Sequence, residues 1–315
     1  MTASPPVAPV ATPSVRESRP TPPTKSRRRV IRRPVRRSST RAARRTRDYL
    51  LLIVLGILFV APVYYLVVGS FKPAAEVLSG FAGFIPQHLS LENYRNVFAS
   101  LSSDSTGYFL QFLGNSLLIS VGIVGGGLIV NSMAAYSFAR LTWRGRNGAF
   151  QFVVLLVIIP FEAVAVPLLY LLNPERNTLL VQILPFVANA FSVFLFYTFF
   201  LGLPKSVEEA ARLDGLGAFG TFVRIVVPNS KPVFATVTIL TFLTSWGQFL
   251  WPVLMVSDPT QRPLPLALSV FQSQQPVDWG AVFAFGTLLV LPVLVVFLLF
   301  QRYFVQSVAG SAVKG

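Results

Sequence analysis

The chain has 315 residues, of which 53% are hydrophobic and 12% charged, with no cysteine and a formal net charge of +15. That charged share is about half the roughly 25% of soluble globular domains, too little to cover so much apolar surface in water. The composition therefore excludes a soluble enzyme and specifies a polytopic, all-α membrane protein, while the missing thiols exclude disulfides, thiolate metal sites and a cysteine nucleophile.

The basic excess is local. Fourteen of the 27 Lys and Arg precede Tyr49, in a segment whose acids are Glu17 and Asp48. Residues 1–24 are rich in Pro, Ala, Ser and Thr, and an arginine run broken by Pro34 follows. Neither part has an apolar period with which to bury a core, so residues 1–48 read as a disordered tail. The tail lacks the interleaved aromatics of a nucleic-acid-binding patch, and no nucleic-acid partner is expected. An acid-poor, Arg- and Ser-rich start also fits a transit peptide, although its prolines spoil an amphipathic helix.

Six apolar spans follow, at Tyr49–Phe71, Phe112–Ala139, Ala149–Leu172, Leu179–Leu201, Val233–Val256 and Ala281–Phe304. Each reaches ~30 Å or more as a helix, enough to cross a bilayer. Pro62, Pro160, Pro167, Pro185 and Pro292 fall inside them, which membrane helices tolerate when neighbours satisfy the freed backbone groups. The glycines of GIVGGGLIV (Gly122, Gly125, Gly126, Gly127) suit close helix packing. With the tail inside, Arg140–Gly148, Gly202–Pro232 and the C-terminus are inside too, and these segments hold 23 of the 27 basic residues. Cytoplasmic loops carry the excess of Lys and Arg, so both termini are placed in the cytoplasm of a multi-pass plasma-membrane protein.

The loop at 202–232 is long for a connector. Ser206 and Glu209 have the spacing of a capping box, after Pro204. Glu208 and Glu209 complement the helix dipole, and Asp214-Gly215 ends the helix. The expected helix is Val207–Asp214, with Val207, Ala210 and Ala211 on one side and a second amphipathic piece carrying Phe219, Phe222 and Ile225 before Pro228 ends it. The layout suits docking in a groove of a cytoplasmic partner; the plainer alternative is a solvated connector.

EEAARLDG, nine residues, then IVVP closely resembles the EAA motif of the membrane subunits of bacterial ABC importers, with Glu209, Ala210, Ala211, Asp214, Gly215, Ile225 and Pro228 at the matching positions. AAYSFARL, RGR, SWGQFLWP, DWG, FQRYFV and the final AVKG resemble the maltose-type carbohydrate-uptake permeases, so that residues 49–315 are covered. Leu216 departs from the small residue usual after Asp-Gly. The resemblance implies the type I permease fold of ABC importers and a helix docked in the cleft of an ATP-hydrolysing subunit. It implies a second permease subunit, two ATP-binding subunits and an external solute-binding protein as partners, with membrane lipid around them. The chain carries no GxxxxGK[ST] phosphate loop, so ATP and Mg belong to the separate ATPase and no cofactor is expected here.

Glu162 is the one ionisable residue deep inside a span, where a carboxylate is costly and by default functional; alternatively Pro160 and Pro167 open the helix and it bonds backbone there. Asn131, Asn189, Trp246 and Gln248 could line a sugar path or form interhelical hydrogen bonds. His88 stands alone in an external loop. No nucleophilic triad, carboxylate pair or metal spacing is present, so the chain reads as a translocation subunit rather than an enzyme. An ion-driven secondary transporter would need several midplane charges, and an interaction protein anchored for the sake of its tail would not need six spans.

Overall fold

A computed structural model describes residues 39–78, 84–86, 88–273 and 275–312, with side chains described from 45 to 302. The expected disordered tail lies outside the described residues up to 38. From Ser39 the chain is already helical, in α1 (Ser39–Ser70), because the Ala- and Arg-rich stretch past Pro34 contains good helix formers and no breaker. The chain divides into two units at Leu55/Gly56. In the first, the described side chains of α1 are all exposed, Tyr49 to Leu55 included.

The second unit is a helical bundle. It contains α2 (Glu92–Ser100), a ribbon of β1 (Ser102–Ser103) and β2 (Gly107–Tyr108), α3 (Phe109–Arg140), α4 (Arg146–Leu156), α5 (Phe161–Leu171), α6 (Leu179–Val187) and α7 (Ala190–Leu201). Then come α8 (Lys205–Leu213), α9 (Ala218–Thr221), a π turn (Phe222–Val226), α10 (Val227–Asn229), α11 (Lys231–Trp246), α12 (Leu250–Met255), α13 (Leu264–Gln272) and α14 (Trp279–Ala312).

Among the described residues, three helices are long and apolar enough to cross a membrane unbroken, at Arg45–Ser70, Phe109–Arg140 and Trp279–Arg302, and counting each of three bent pairs as one span gives up to six. Breaks fall within three of the expected apolar spans. The span expected at Ala149–Leu172 is two helices, α4 and α5, meeting at 99°. Pro160, extended at the N-cap of α5, disfavours helical backbone at Ile159 before it. The span at Leu179–Leu201 bends by 41° where Ala188 and Asn189 are extended. The one expected at Val233–Val256 stops at Gly247, and α12 is a separate turn and a half.

The central helix is α3, which touches α6, α7, α11 and α13. Two of the expected packing glycines explain its fit to α6: a Cβ on Gly122 would lie 2.9 Å from Ile183, and one on Gly126 3.2 Å from Val187. Buried side chains fill both ends of α3. Around its first half, Phe112 packs with Phe242, Trp246, Phe271 and Phe285. Around its second half, Tyr136 packs with Phe196, Phe200, Phe222, Val226 and Val237. Leu, Ile and Val on α1, α4, α5 and α14 remain exposed, as side chains facing lipid or another membrane subunit are.

Candidate functional site

The end of the bundle where α3 and α7 finish carries α8. Pro204, extended at φ −62°, is the N-cap and makes no side-chain capping bond. Ser206 therefore lies inside the helix, and the expected capping box with Glu209 does not form, because the helix starts at Lys205 rather than Val207. The C-terminal end matches expectation. Gly215 takes φ +80°, a region in which a Cβ is strained, and its N–H bonds to Arg212 O at 3.0 Å. The N–H of Leu216 bonds to Ala211 O at 3.0 Å, so two of the helix's last carbonyls are satisfied in the paired pattern typical of a glycine stop.

The faces of α8 differ from the expected arrangement. Glu208 and Ala211 point inward and are buried, whereas Val207, Glu209, Ala210 and Arg212 are exposed. Leu213 is 89% exposed, and Phe219 on the adjoining α9 is 67% exposed. The outward apolar stripe is thus Val207, Ala210 and Leu213, at steps of three, and Phe219 is a further exposed apolar side chain on α9. Ala211 belongs to the packed side. In the second piece Phe222 and Val226 are buried and Ile225 half-buried. Pro228 does not end that piece: it sits inside α10, and helical backbone continues until Ser230.

The inward turn of Glu208 has a definite cause. Arg140, in the last turn of α3, brings its Nε within 3.1 Å of Glu208 Oε1, with the two side chains only 5% and 8% exposed. The same guanidinium donates to Phe200 O and, at 2.6 Å, to Leu203 O at the end of α7. Carbonyls at a helix end lack intrahelical donors and carry partial negative charge, so one cation satisfies α7 and also complements its own helix end. Glu208 in the first turn of α8 supplies the opposite charge.

Asn131, Asn189 and Trp246 are bonded locally. Asn131 donates to Val187 O at 3.0 Å and accepts from Asn189 N at 2.9 Å, bridging the break between α6 and α7. Asn189 caps α7 by accepting from Ser192 N at 2.8 Å. Trp246 donates to Leu289 O at 2.9 Å, tying α11 to α14. Gln248, half-buried, lines a cavity of about 10 Å³ together with Ser116, Gln182 and Ser245, enough room for one water. Glu162 is exposed in the first turn of α5, just past Pro160, rather than deep within a continuous helix.

Residues 115–310 match the protein family described as the binding-protein-dependent transport system inner membrane component. The chain belongs to this family. As an inner membrane component of such a system, it is 32% identical over 273 residues to the arabinooligosaccharides transport system permease protein AraQ of Halalkalibacterium halodurans, covering 84% of this chain and 96% of that one. It is 33% identical to the diacetylchitobiose uptake system permease protein NgcG of Streptomyces coelicolor, over 85% and 87% of the two chains. It is 31% identical to the sn-glycerol-3-phosphate transport system permease protein UgpE of Yersinia pestis, over 83% and 95%. A solved bacterial ABC transporter involved in the import of the acidic polysaccharide alginate matches with TM-score 0.71 at 21% identity, over 85% of this chain and 98% of that chain. The fold is that of the type I permeases of ABC importers, and the protein is a permease of that transporter class.

Two features of this inner membrane component were not among the residues singled out from the sequence. Arg140 lies within AAYSFARL and was counted only as a loop charge; its position as the last residue of an apolar span is the signal that it serves a buried end. Asn115 and Gln182 link the opposite end of the bundle, Asn115 donating to Thr260 O at 2.8 Å and Gln182 to Gln261 O at 3.1 Å. His88, expected to stand alone, faces Glu76 Oε1 at 3.2 Å.

Proposed function

We propose that the chain translocates a carbohydrate or a related polyol or glycerol phosphate inward across the cytoplasmic membrane, driven by a separate ATPase docked on α8. The observation that carries this reading is the outward stripe of Val207, Ala210 and Leu213 on a helix closed at one end by Gly215 and held to the bundle by Glu208. Large apolar side chains on a held helix are what a groove-binding contact uses as anchors. Glu209 and Arg212 flank the stripe and supply polar rim contacts.

Carbohydrate as the substrate class rests on the named relatives, whose transport systems carry arabinooligosaccharides, diacetylchitobiose and sn-glycerol-3-phosphate. The cytoplasm is assigned to the end bearing α8, since Arg140, Arg144, Arg146, Lys205, Arg212, Arg224 and Lys231 all belong to segments at that end. Both termini then lie inside. The working assembly pairs this chain with a second permease, two ATP-binding subunits that use ATP and Mg, and an external solute-binding protein. Of the residues singled out for a sugar path, Glu162 and Gln248 remain the proposed path residues, while Asn131, Asn189 and Trp246 are read as ties within and between helices. Glu162 is exposed and Gln248 lies beside a polar cavity.

Two measurements test the reading. Uptake of labelled sugars by a deletion strain, restored by the intact gene, identifies the substrate class. Co-purification of the ATPase with Leu213→Arg tests the docking surface: expected is a membrane-inserted permease that no longer retains the ATPase, and normal retention overturns the assignment.

A further inference from the structure

We propose that Arg140 is a positioning residue that makes α8 move as one body with the ends of α3 and α7, so that the Arg140–Glu208 pair, rather than the loop backbone, passes motion between α8 and the membrane helices. The inference rests on α8 being the ATPase-docking helix and deepens that reading.

Three helix ends meet at this one cation. Its Nε faces Glu208 Oε1 at 3.1 Å, and its terminal nitrogen donates to the carbonyls of Phe200 and Leu203. Both side chains are more than nine-tenths buried, so water screens little of their attraction. Nε and Oε1 are close but not aligned as a hydrogen bond, which leaves charge attraction as the tie between them. The backbone offers little alternative. Between Leu201 and Lys205 the chain is a short linker ending in extended Pro204, and beyond Leu213 it reverses at Gly215. Without the ion pair, α8 is joined to the rest of the bundle by two turns and the packing of Ala211. With it, the first turn of α8 is fixed to α3 and α7.

The pair also divides the labour of two neighbouring glutamates. Glu208 is consumed by the bundle, and Glu209, one residue on, is exposed and free to face a partner. A residue serving only stability would lower the amount of folded permease and nothing else. A positioning residue changes how much substrate moves per ATP hydrolysed in the complex that does assemble.

The cysteine-free sequence permits a single reporter. Lys205→Cys, at the exposed start of α8, carries a spin label in the full complex reconstituted in nanodiscs. Glu208→Gln and Arg140→Met are compared with Arg144→Ala, an exposed basic residue on the neighbouring loop. Expected for both clamp variants is a more mobile label and a drop in substrate moved per ATP of at least about fivefold, the low end of ordinary coupling between sites. The double variant should be no worse than either single one, as for groups acting as a unit. Arg140→Lys, which keeps the charge but loses the planar fork, should restore only part of the ratio. Unchanged mobility and ratio in assembled complex overturn the proposal, as does uptake that falls only in step with permease abundance. If ATPase retention survives Leu213→Arg, the docking reading fails, and label mobility at position 205 still decides whether the clamp holds α8.

Discussion

Asn131 and Asn189 share a hydrogen bond of 2.9 Å from the backbone N–H of Asn189 to the side-chain oxygen of Asn131, while the Asn131 amide donates to Val187 O at 3.0 Å. One buried side chain thereby satisfies two of the backbone groups that the break between α6 and α7 leaves open.

Asn131→Leu should therefore act on stability. Each buried backbone group left without a partner costs about 1–3 kcal/mol. The expected outcome is a lower unfolding temperature of the purified permease with an unchanged substrate dependence of uptake. A raised KM at unchanged stability would instead place Asn131 on the substrate path.

Gly215→Pro should leave the protein in the membrane and uncouple it. Proline cannot adopt φ +80° and removes the N–H that bonds Arg212 O, so the end of α8 is lost. Gly215→Ala keeps the donor and should be milder, at about 1–2 kcal/mol for the left-handed conformation. Glu209→Lys reverses an exposed charge beside the docking stripe and is expected to impair transport with normal insertion. Wild-type uptake by both Gly215→Pro and Glu209→Lys would remove α8 from the coupling machinery.

At Glu162 the expectation has shifted with its position. In the first turn of α5, its charge complements the helix dipole for about 0.3–1 kcal/mol. Glu162→Gln is expected to keep near-normal uptake and stability. Glu162→Leu, keeping bulk but no polar group, should lower uptake at unchanged abundance if the residue borders the permeation path. Identical wild-type uptake by both variants would leave it with only its helix-end role.

Asp258 gives a pH-dependent signature on the loop that α3 grips through Asn115. Hydrogen bonds from the Thr260 backbone N–H and hydroxyl hold the carboxyl below its ordinary value of 3.8. Its folded form favours the ionised state, so its contribution is complete above that ordinary value and is lost as pH falls through the lower folded value. The protection of the Thr260 amide, with the intrinsic pH dependence of exchange divided out, should fall on such acidification in the wild type. In Asp258→Asn, which does not titrate, exchange should lack that step, and equal pH profiles for the two proteins would show that the carboxylate plays no part.

What was legible in the sequence follows from what local pattern encodes. The apolar lengths marked the three unbroken crossing helices and the bent pairs α4–α5 and α6–α7, but they ran the fifth segment past the end of α11 at Trp246. Gly215 marked the end of α8 because a reversal there needs φ above zero. The break at Pro160 was not legible as a 99° turn, since prolines also sit inside continuous helices here, at Pro62 in α1 and Pro292 in α14. The rotation of α8 was invisible for another reason. Polarity alone sends Glu208 to the solvent, and it turns inward because a cation from a distant span waits there. The same holds for Asn131, whose partners depend on where α6 breaks.

The unbroken course of α3 sets a geometric gain between the two ends of the bundle. Asn115 is bound to the loop carbonyls of Thr260 and Arg262 near one end, and Arg140 grips the end of α7 at the other. At 1.5 Å per residue the two are about 38 Å apart along a rod without a hinge. A tilt of about five degrees about Asn115 then carries Arg140, and whatever it holds, through roughly 3 Å. Small angular changes at the loop end thus arrive at α8 as displacements of atomic size, and the reverse holds equally.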